Sequence, residues 1–192
     1  MNRVADALVA GAGLVLASPF LGLAALATKL EGGGPILYRQ TRVGKDGEDF
    51  AVLKLRSMVV GAESLGAGYA VDEGDARITR VGRIIRRTSI DELPQLWNVV
   101  RGDMSIIGPR PTLRYQVEQY DEQQRRRLDV RPGLTGWAQV HGRASLPWAE
   151  RIELDVWYVD HRAPRVDLEI LLRTPLALVR GTYRGATGGW RT

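Results

Sequence analysis

The chain has no cysteine and only two histidines, His141 and His161, in 192 residues. The first absence excludes disulfides and thiolate chemistry and leaves the compartment open. The second, with the histidines far apart and no thiol to assist them, argues against a zinc site. Acidic residues are outnumbered: 22 Asp and Glu stand against 27 Lys and Arg, a net charge of +5, with much of the excess in arginine. That balance favours an anionic partner, whether nucleic acid, a phosphate-bearing substrate or acidic lipid, without choosing among them. There is no internal repeat, and the length calls for one cored domain.

What the chain does have is a long uncharged run at its start, ALVAGAGLVLASPFLGLAALA, from Ala7 to Ala27. As a straight helix it would be about 30 Å long, enough to cross the hydrocarbon core of a bilayer. Ser18 and Pro19 fall near its middle, where proline removes a backbone hydrogen bond and favours a kink. Arg3 and Lys29 flank the two ends, so the positive-inside rule gives no orientation. Three readings stay open: a kinked helix that spans, a helix broken at Ser18-Pro19 that dips into one leaflet and returns, and a secretory signal peptide ending at Ala25-Leu26-Ala27. A break in lipid frees carbonyls, and the Ser18 hydroxyl is a candidate to satisfy one.

Glu31-Gly32-Gly33-Gly34-Pro35 separates this run from the body. The arms ILYRQTRV and FAVLKLR flank Asp46-Gly47, a hairpin turn signal, and the second arm's alternation puts Lys54 and Arg56 on one face. A polar, glycine-rich loop from Gly61 to Gly74 follows. Arg77, Arg80, Arg83 and Arg86 recur at steps of three among Ile78, Val81, Ile84 and Ile85, which on a helix gives a basic stripe beside an apolar one. Such a helix suits anionic head groups or a nucleic-acid backbone. No nucleic-acid motif surrounds it, which counts against that class.

In Gly108-Pro109-Arg110-Pro111 two prolines restrict the backbone around one arginine, whose planar fork suits phosphate. Tyr115 to Leu128 reads as a charged surface helix. Arg131 to Arg143 is a glycine-rich loop with a candidate phosphate or base contact at each end. Ser145 and Pro147 start a helix on which Asp155, between Leu154 and Val156, turns inward and then needs a cation or a donor. DLEILLRTPLALV is too apolar for a plain surface helix and, interrupted by Pro175, reads as a segment lying on a bilayer. The fold class is α+β, mostly helical with a small β-hairpin.

The most chemical stretch is SIDELPQLW, Ser89 to Trp97. Ser89 and Glu92 have capping-box spacing, which would make the acids structural. Pro94 fits better at the first position of a helix through Gln95, Leu96, Trp97 and Val100, leaving Asp91 and Glu92 on the turn before it. Neighbours on a helical turn point about 100° apart, so these two carboxylates cannot share one proton like a facing dyad.

Taken in order, KLRSM (Lys54–Met58), DARITRVGR (Asp75–Arg83), RRTSIDELPQLWNV (Arg86–Val99), GDMSIIGPRP (Gly102–Pro111) and RPGLTGWAQVHGR (Arg131–Arg143) resemble the bacterial sugar transferase family, the monotopic polyprenyl-phosphate phosphoglycosyl transferases. The resemblance runs from Ser18-Pro19 to about Thr174. It implies that residues 1–30 form a re-entrant membrane helix broken at Ser18-Pro19. Residues 31–192 would form a catalytic domain lying with interfacial amphipathic helices on the cytoplasmic face of the bacterial inner membrane. It implies Mg²⁺-dependent transfer of a sugar phosphate from a UDP-sugar to polyprenyl phosphate, with Asp91 as nucleophile and Glu92 beside it, both candidate metal ligands. Lys54, Arg56, Arg86, Arg110, Asp155, Arg131 and Arg143 are the candidate substrate-binding positions. Membrane lipids and a second copy of the chain are further candidate partners, and nucleic acid is not expected. His141 stands where the family more often has asparagine, and the chain is expected to be the minimal form, without the extra N-terminal spans of larger members.

Overall fold

In the computed structural model, residues 2–65, 71, 74–142 and 146–179 are described. The apolar run lies within one long helix, α1 (Arg3–Gly32), opened by the Asn2 side chain, which accepts from the Ala5 amide at 2.9 Å. Helical backbone continues through the expected break at Ser18 and Pro19. Proline leaves the Val15 carbonyl without its usual amide donor, and Ser18 Oγ donates to that carbonyl at 2.8 Å. The serine thus fills the role its position predicted, and with that carbonyl occupied the helix passes its proline uninterrupted.

Strands β1 (Leu37–Val43) and β2 (Asp49–Leu55) form the expected antiparallel hairpin, with Tyr38 opposite Lys54. Its turn places Asp46 and Gly47 at φ +56° and +80°, the left-handed conformations that an Asp-Gly pair tolerates. After it come α2 (Arg80–Arg87), α3 (Gln95–Arg101) and β3 (Ser105–Ile107). The short helices α4 (Arg114–Val117) and α5 (Glu122–Arg125) lead to β4 (Gly133–Thr135), which pairs in parallel with β3. Helices α6 (Trp137–Val140), α7 (Trp148–Asp160) and α8 (Pro164–Val179) complete the described fold.

Besides the break expected at Ser18-Pro19, two readings are corrected here. The single surface helix expected from Tyr115 to Leu128 is divided, because Asp121 caps a new helix by accepting from the Gln124 amide at 2.8 Å. Pro175, expected to interrupt the C-terminal apolar segment, sits inside α8, which runs on to Val179.

The principal core joins Ala10 and Leu14 of α1 to Leu96 and Val99 of α3, Met104, Ile106 and Ile107 around β3, Tyr158 of α7 and Ile170 of α8. Farther along α1, Leu21 and Ala24 pack with Leu55, Ile85 and Ile36. Polar anchors secure both ends of the helix. Arg3 donates to the Val99 carbonyl at 2.7 Å and to that of Val100, while the buried Asp6 carboxylate accepts from Ser105 Oγ at 2.8 Å and the Ile106 amide at 3.1 Å. At the other end Glu31 accepts from the Arg80 and Val81 amides at 2.7 and 2.9 Å, satisfying free donors at the start of α2. Between these anchors Val15, Leu16, Phe20 and Leu23 point away from the body and are exposed.

Candidate active site

The Ser89–Trp97 stretch forms a tight turn leading into α3. Ser89 adopts φ +57° and its side chain caps nothing, so the capping box is absent and the two carboxylates are released from helix-start duty. Pro94 stands at the α3 boundary, within one residue of its expected place. Asn98, fully buried on α3, accepts from the Leu53 amide at 3.0 Å and donates to the Ala51 carbonyl at 2.8 Å. That bridge fixes the acidic turn against β2, and so against Lys54. Sequence reasoning overlooked it, because its partners lie 45 and 47 residues away along the chain.

Asp91 and Glu92 then meet different surroundings. Glu92 is held by Lys54 Nζ at 2.8 Å and by the Arg110 guanidinium. Burial alone would raise its pKa, but Arg110 and Lys54 outweigh burial and hold it well below the usual carboxylate range. Asp91 enters neither ion pair. It is only 7 % exposed, and burial, reinforced by the Glu92 charge, pushes it up to about 6 against the pull of Lys54, Arg86 and Arg110. The Arg86 guanidinium approaches Ser57 Oγ at 3.4 Å, and its own burial draws its pKa down.

These groups line one cavity of 390 Å³, walled also by Tyr38, Gln40 and Arg42 of β1 and by the Ser57–Glu63 segment. Three cations converge on two carboxylates, leaving positive charge for a phosphate. The Ser57 segment comes this close because Gly82 has no side chain: a Cβ there would lie 1.9 Å from the Ser57 carbonyl oxygen. Gly82, a glycine inside a helix, is what lets α2 present Arg86.

Arg110 is set from behind. The Gly108 amide donates to Thr135 and the Gly133 amide to Pro109, at 2.9 and 2.8 Å, fixing the Pro-Arg-Pro turn on the parallel strand pair. Beneath it Arg127 donates to the Arg110 carbonyl at 2.9 Å, to Asp155 at 2.5 Å and to the Tyr120 hydroxyl. Asp155 is turned inward as expected, and Arg127 is the cation it required. This pair lies behind the cavity lining and reaches the site through Arg110. Arg127 was missed because the expected surface helix would have left it in solvent.

The remaining candidates scatter. Arg56 is buried and spends its guanidinium on the Gly33 carbonyl and, at 3.4 Å, on that of Thr28, so it seals the end of α1 at the cavity margin. Arg131 donates to the Gly102 carbonyl at 2.9 Å and does not line the cavity. Arg143 and Ser145 lie outside the described residues, as does half of the Gly61–Gly74 loop. The arginine stripe is divided: Arg77 pairs with Asp75 at 2.6 Å and Arg86 lines the cavity, leaving Arg80 and Arg83 as the outward basic pair. His141 Nε2 lies 2.9 Å from Arg173 Nη1, on the α6–α8 side.

The chain is similar to known proteins over most of its length. The profile of a family described as bacterial sugar transferase matches residues 1–181. The chain is 47 % identical over 146 residues to an uncharacterized sugar transferase, EpsL, of Bacillus subtilis, covering 76 % of this chain and 71 % of that one. It is 46 % identical over 186 residues to the UDP-glucose:undecaprenyl-phosphate glucose-1-phosphate transferase of Caulobacter vibrioides, covering 93 % and 69 %. With the UDP-N-acetylgalactosamine-undecaprenyl-phosphate N-acetylgalactosaminephosphotransferase of Aeromonas hydrophila it shares 43 % over 187 residues, 94 % of this chain and 44 % of that longer one.

Proposed function

The chain belongs to the bacterial sugar transferase family, and from that premise we propose that it moves a sugar 1-phosphate from a UDP-sugar to polyprenyl phosphate through a phosphosugar ester on Asp91. The observation that carries this reading is the division of labour between the paired acids. Glu92 is consumed by Lys54 and Arg110, while Asp91 faces the same cations with its carboxylate uncommitted.

In the first half-reaction an Asp91 oxygen attacks the sugar-bearing phosphorus. One P–O bond forms to the carboxylate, the bridging P–O bond of the diphosphate breaks, and UMP leaves with that electron pair. In the second, an oxygen of the lipid phosphate attacks the same phosphorus and Asp91 departs as a carboxylate. Charge balances without a net proton transfer, so the side chains have to align and neutralise phosphates more than to act as bases. Lys54, Arg86 and Arg110 supply that neutralisation, and the Pro-Arg-Pro turn supplies alignment at low entropic cost. Glu92 keeps Lys54 and Arg110 in place.

Among the described residues no three acidic or histidine side chains cluster as a ready-made cage. Asp91, with Glu92 beside it, would therefore hold a Mg²⁺ only together with the diphosphate oxygens of a bound substrate. When bound, the ion would reduce the charge repelling an attacking carboxylate.

We place the protein on the cytoplasmic face of the bacterial inner membrane, with α1 inserted into one leaflet without crossing. A helix of this length and hydropathy could span. Yet Arg3 and Asp6 at one end, and Thr28 and Glu31 at the other, pack on the same polar body, with the exposed apolar stretch between them. A spanning helix would carry one end away from that body.

The test is UMP release from a UDP-sugar without lipid. The expected yield is at most one UMP per enzyme, with the mass of a phosphosugar on the peptide containing Asp91. UMP appearing only after lipid is added, with no added mass, would replace this mechanism with direct transfer between the two substrates.

A further inference from the structure

The cavity has two unlike walls. Strand β1 contributes Tyr38, Gln40 and Arg42, with the Arg42 guanidinium donating to Gln40 Oε1 at 3.0 and 2.6 Å. Beside this polar wall, Pro35, Leu37 at the start of β1, Val59 and Val60 form an apolar rim in which Val60 is 60 % exposed and Leu37 and Val59 are each 41 % exposed. None of the three belongs to a hydrophobic core cluster. Their exposure is therefore surface left over from folding, placed on the lip of a cationic cavity.

The rim is built. The Val59 amide donates to the Arg77 carbonyl at 2.9 Å and the Thr79 amide to the Ser57 carbonyl at 3.2 Å. Arg77, itself paired with Asp75, donates to the Ala62 and Leu65 carbonyls at 2.8 and 2.7 Å. The rim also adjoins the end of α1. A Cβ on Gly34 would come within 2.9 Å of a Val60 methyl carbon, and Lys29 Nζ donates to the Gly34 carbonyl at 2.9 Å. One to two turns earlier on α1, Leu26 and Leu30 are exposed. The exposed leucines at the end of α1 and the apolar lip of the cavity holding Asp91 are therefore joined by the short segment that passes Val60 at Gly34.

We propose that this rim seats the first isoprene units of the lipid acceptor, while the β1 wall of Tyr38, Gln40 and Arg42 faces the nucleotide sugar. The inference rests on the reading above, in which the acceptor is a lipid phosphate. Two substrates that visit Asp91 in turn must bring their phosphates to one locus among Lys54, Arg86 and Arg110, so the rest of each molecule has to diverge from there. A hydrocarbon chain gains from covering Leu37, Val59 and Val60, whereas a nucleoside gains more from hydrogen-bonding groups. The rim's position beside α1 gives the chain a short path out of the bilayer.

Photolabelling locates the chain without requiring turnover. The full chain in lipid nanodiscs is irradiated with a farnesyl phosphate carrying a diazirine on its first isoprene unit, and labelled residues are mapped by mass spectrometry. Labels are expected on residues 35–37 and 58–61 and should disappear with excess unlabelled polyprenyl phosphate. Labels confined to the outward faces of α1 and α8, or indifferent to the competitor, would overturn the assignment. Kinetics supply a second arm through Val60→Asp, a substitution at an exposed position. The acceptor KM should rise about tenfold beyond any change in donor KM, and Val60→Ile should keep the wild-type ratio. Equal changes in both constants would also overturn it. Failure of the underlying reading has another appearance: the wild-type protein would release no UMP from any UDP-sugar, with or without lipid, while the label would still show whether the rim takes a prenyl chain.

Discussion

Asp91 and Asp155 are both buried aspartates, and burial pushes each up to about 6. Their neighbours separate them. Asp155, 3 % exposed, is closed off by Arg127 at 2.5 Å, which also donates to Tyr120 and to the Arg110 carbonyl. Asp91 looks into a cavity with Lys54, Arg86 and Arg110 around it, and the closest ion pairs there go to Glu92 instead. The same desolvation is neutralised internally at one site and left available to a ligand at the other. A buried carboxylate therefore marks a reactive group only when its would-be partners are already engaged elsewhere.

The sharpest way to break this contrast is to neutralise each acid alone. Asp91→Asn should lower sugar-phosphate transfer by at least about 10³-fold, measured as UMP release, with stability unchanged or higher because a costly buried charge is gone. A loss of stability of ~0.5–2 kcal/mol with activity retained would return Asp91 to the role of a helix cap. Arg127→Leu should act on the other side of the comparison, leaving Asp155 buried without its cation at a cost of about 3–5 kcal/mol in denaturant unfolding. Pairing it with Asp155→Leu should restore most of that stability but not full activity, since the Arg110 carbonyl still lacks its donor. Full activity in the double variant would mean that Arg127 has no part in positioning Arg110.

Much of this was legible in the sequence, and the failures share a cause. The hairpin, the inward turn of Asp155, the Ser18 hydroxyl serving a freed carbonyl and the start of α3 near Pro94 all follow from rules acting within a few residues. The acidic pair and the arginine between prolines were recognisable as chemistry for the same reason. Arg127, Asn98 and the use of Gly82 were not, because each acts across a long sequence separation: Arg127 on Arg110 and Asp155, Asn98 on Ala51 and Leu53, Gly82 on Ser57. Nor does spacing reveal how a charge is spent. Arg56 and Arg131 looked like phosphate ligands, and both donate to backbone carbonyls.

Proton linkage should distinguish the two aspartates at smaller amplitude. Both have folded pKa values above the unfolded range, so each favours the folded state most at pH below about 4 and loses that contribution as pH rises through about 6. The loss should be on the order of 1–3 kcal/mol per group. Asp91→Asn and Asp155→Asn should each flatten part of that slope in pH-dependent unfolding. Transfer activity has the opposite sign, rising with pH as Asp91 ionises with a midpoint near 6 in the free enzyme. An activity midpoint unchanged by substitutions at Lys54 and Arg86 would separate it from Asp91.

The smallest effect belongs to Arg131, and it tests whether proximity in sequence to a recognised motif is enough to make a ligand. Its guanidinium is exposed and holds the Gly102 carbonyl at 2.9 Å, outside the cavity. Gly102 sits at φ +99° just after α3, so Arg131 helps to close that helix end on the side remote from Asp91. Arg131→Ala should cost at most about 0.5 kcal/mol and leave KM for the UDP-sugar within about twofold, because a single exposed hydrogen bond to a carbonyl contributes little. A tenfold rise in that KM (about 1.4 kcal/mol) with unchanged unfolding would show that the loop reaches the nucleotide after all, and would extend the cationic side of the comparison from Lys54, Arg86 and Arg110 to a second shelf beyond the cavity.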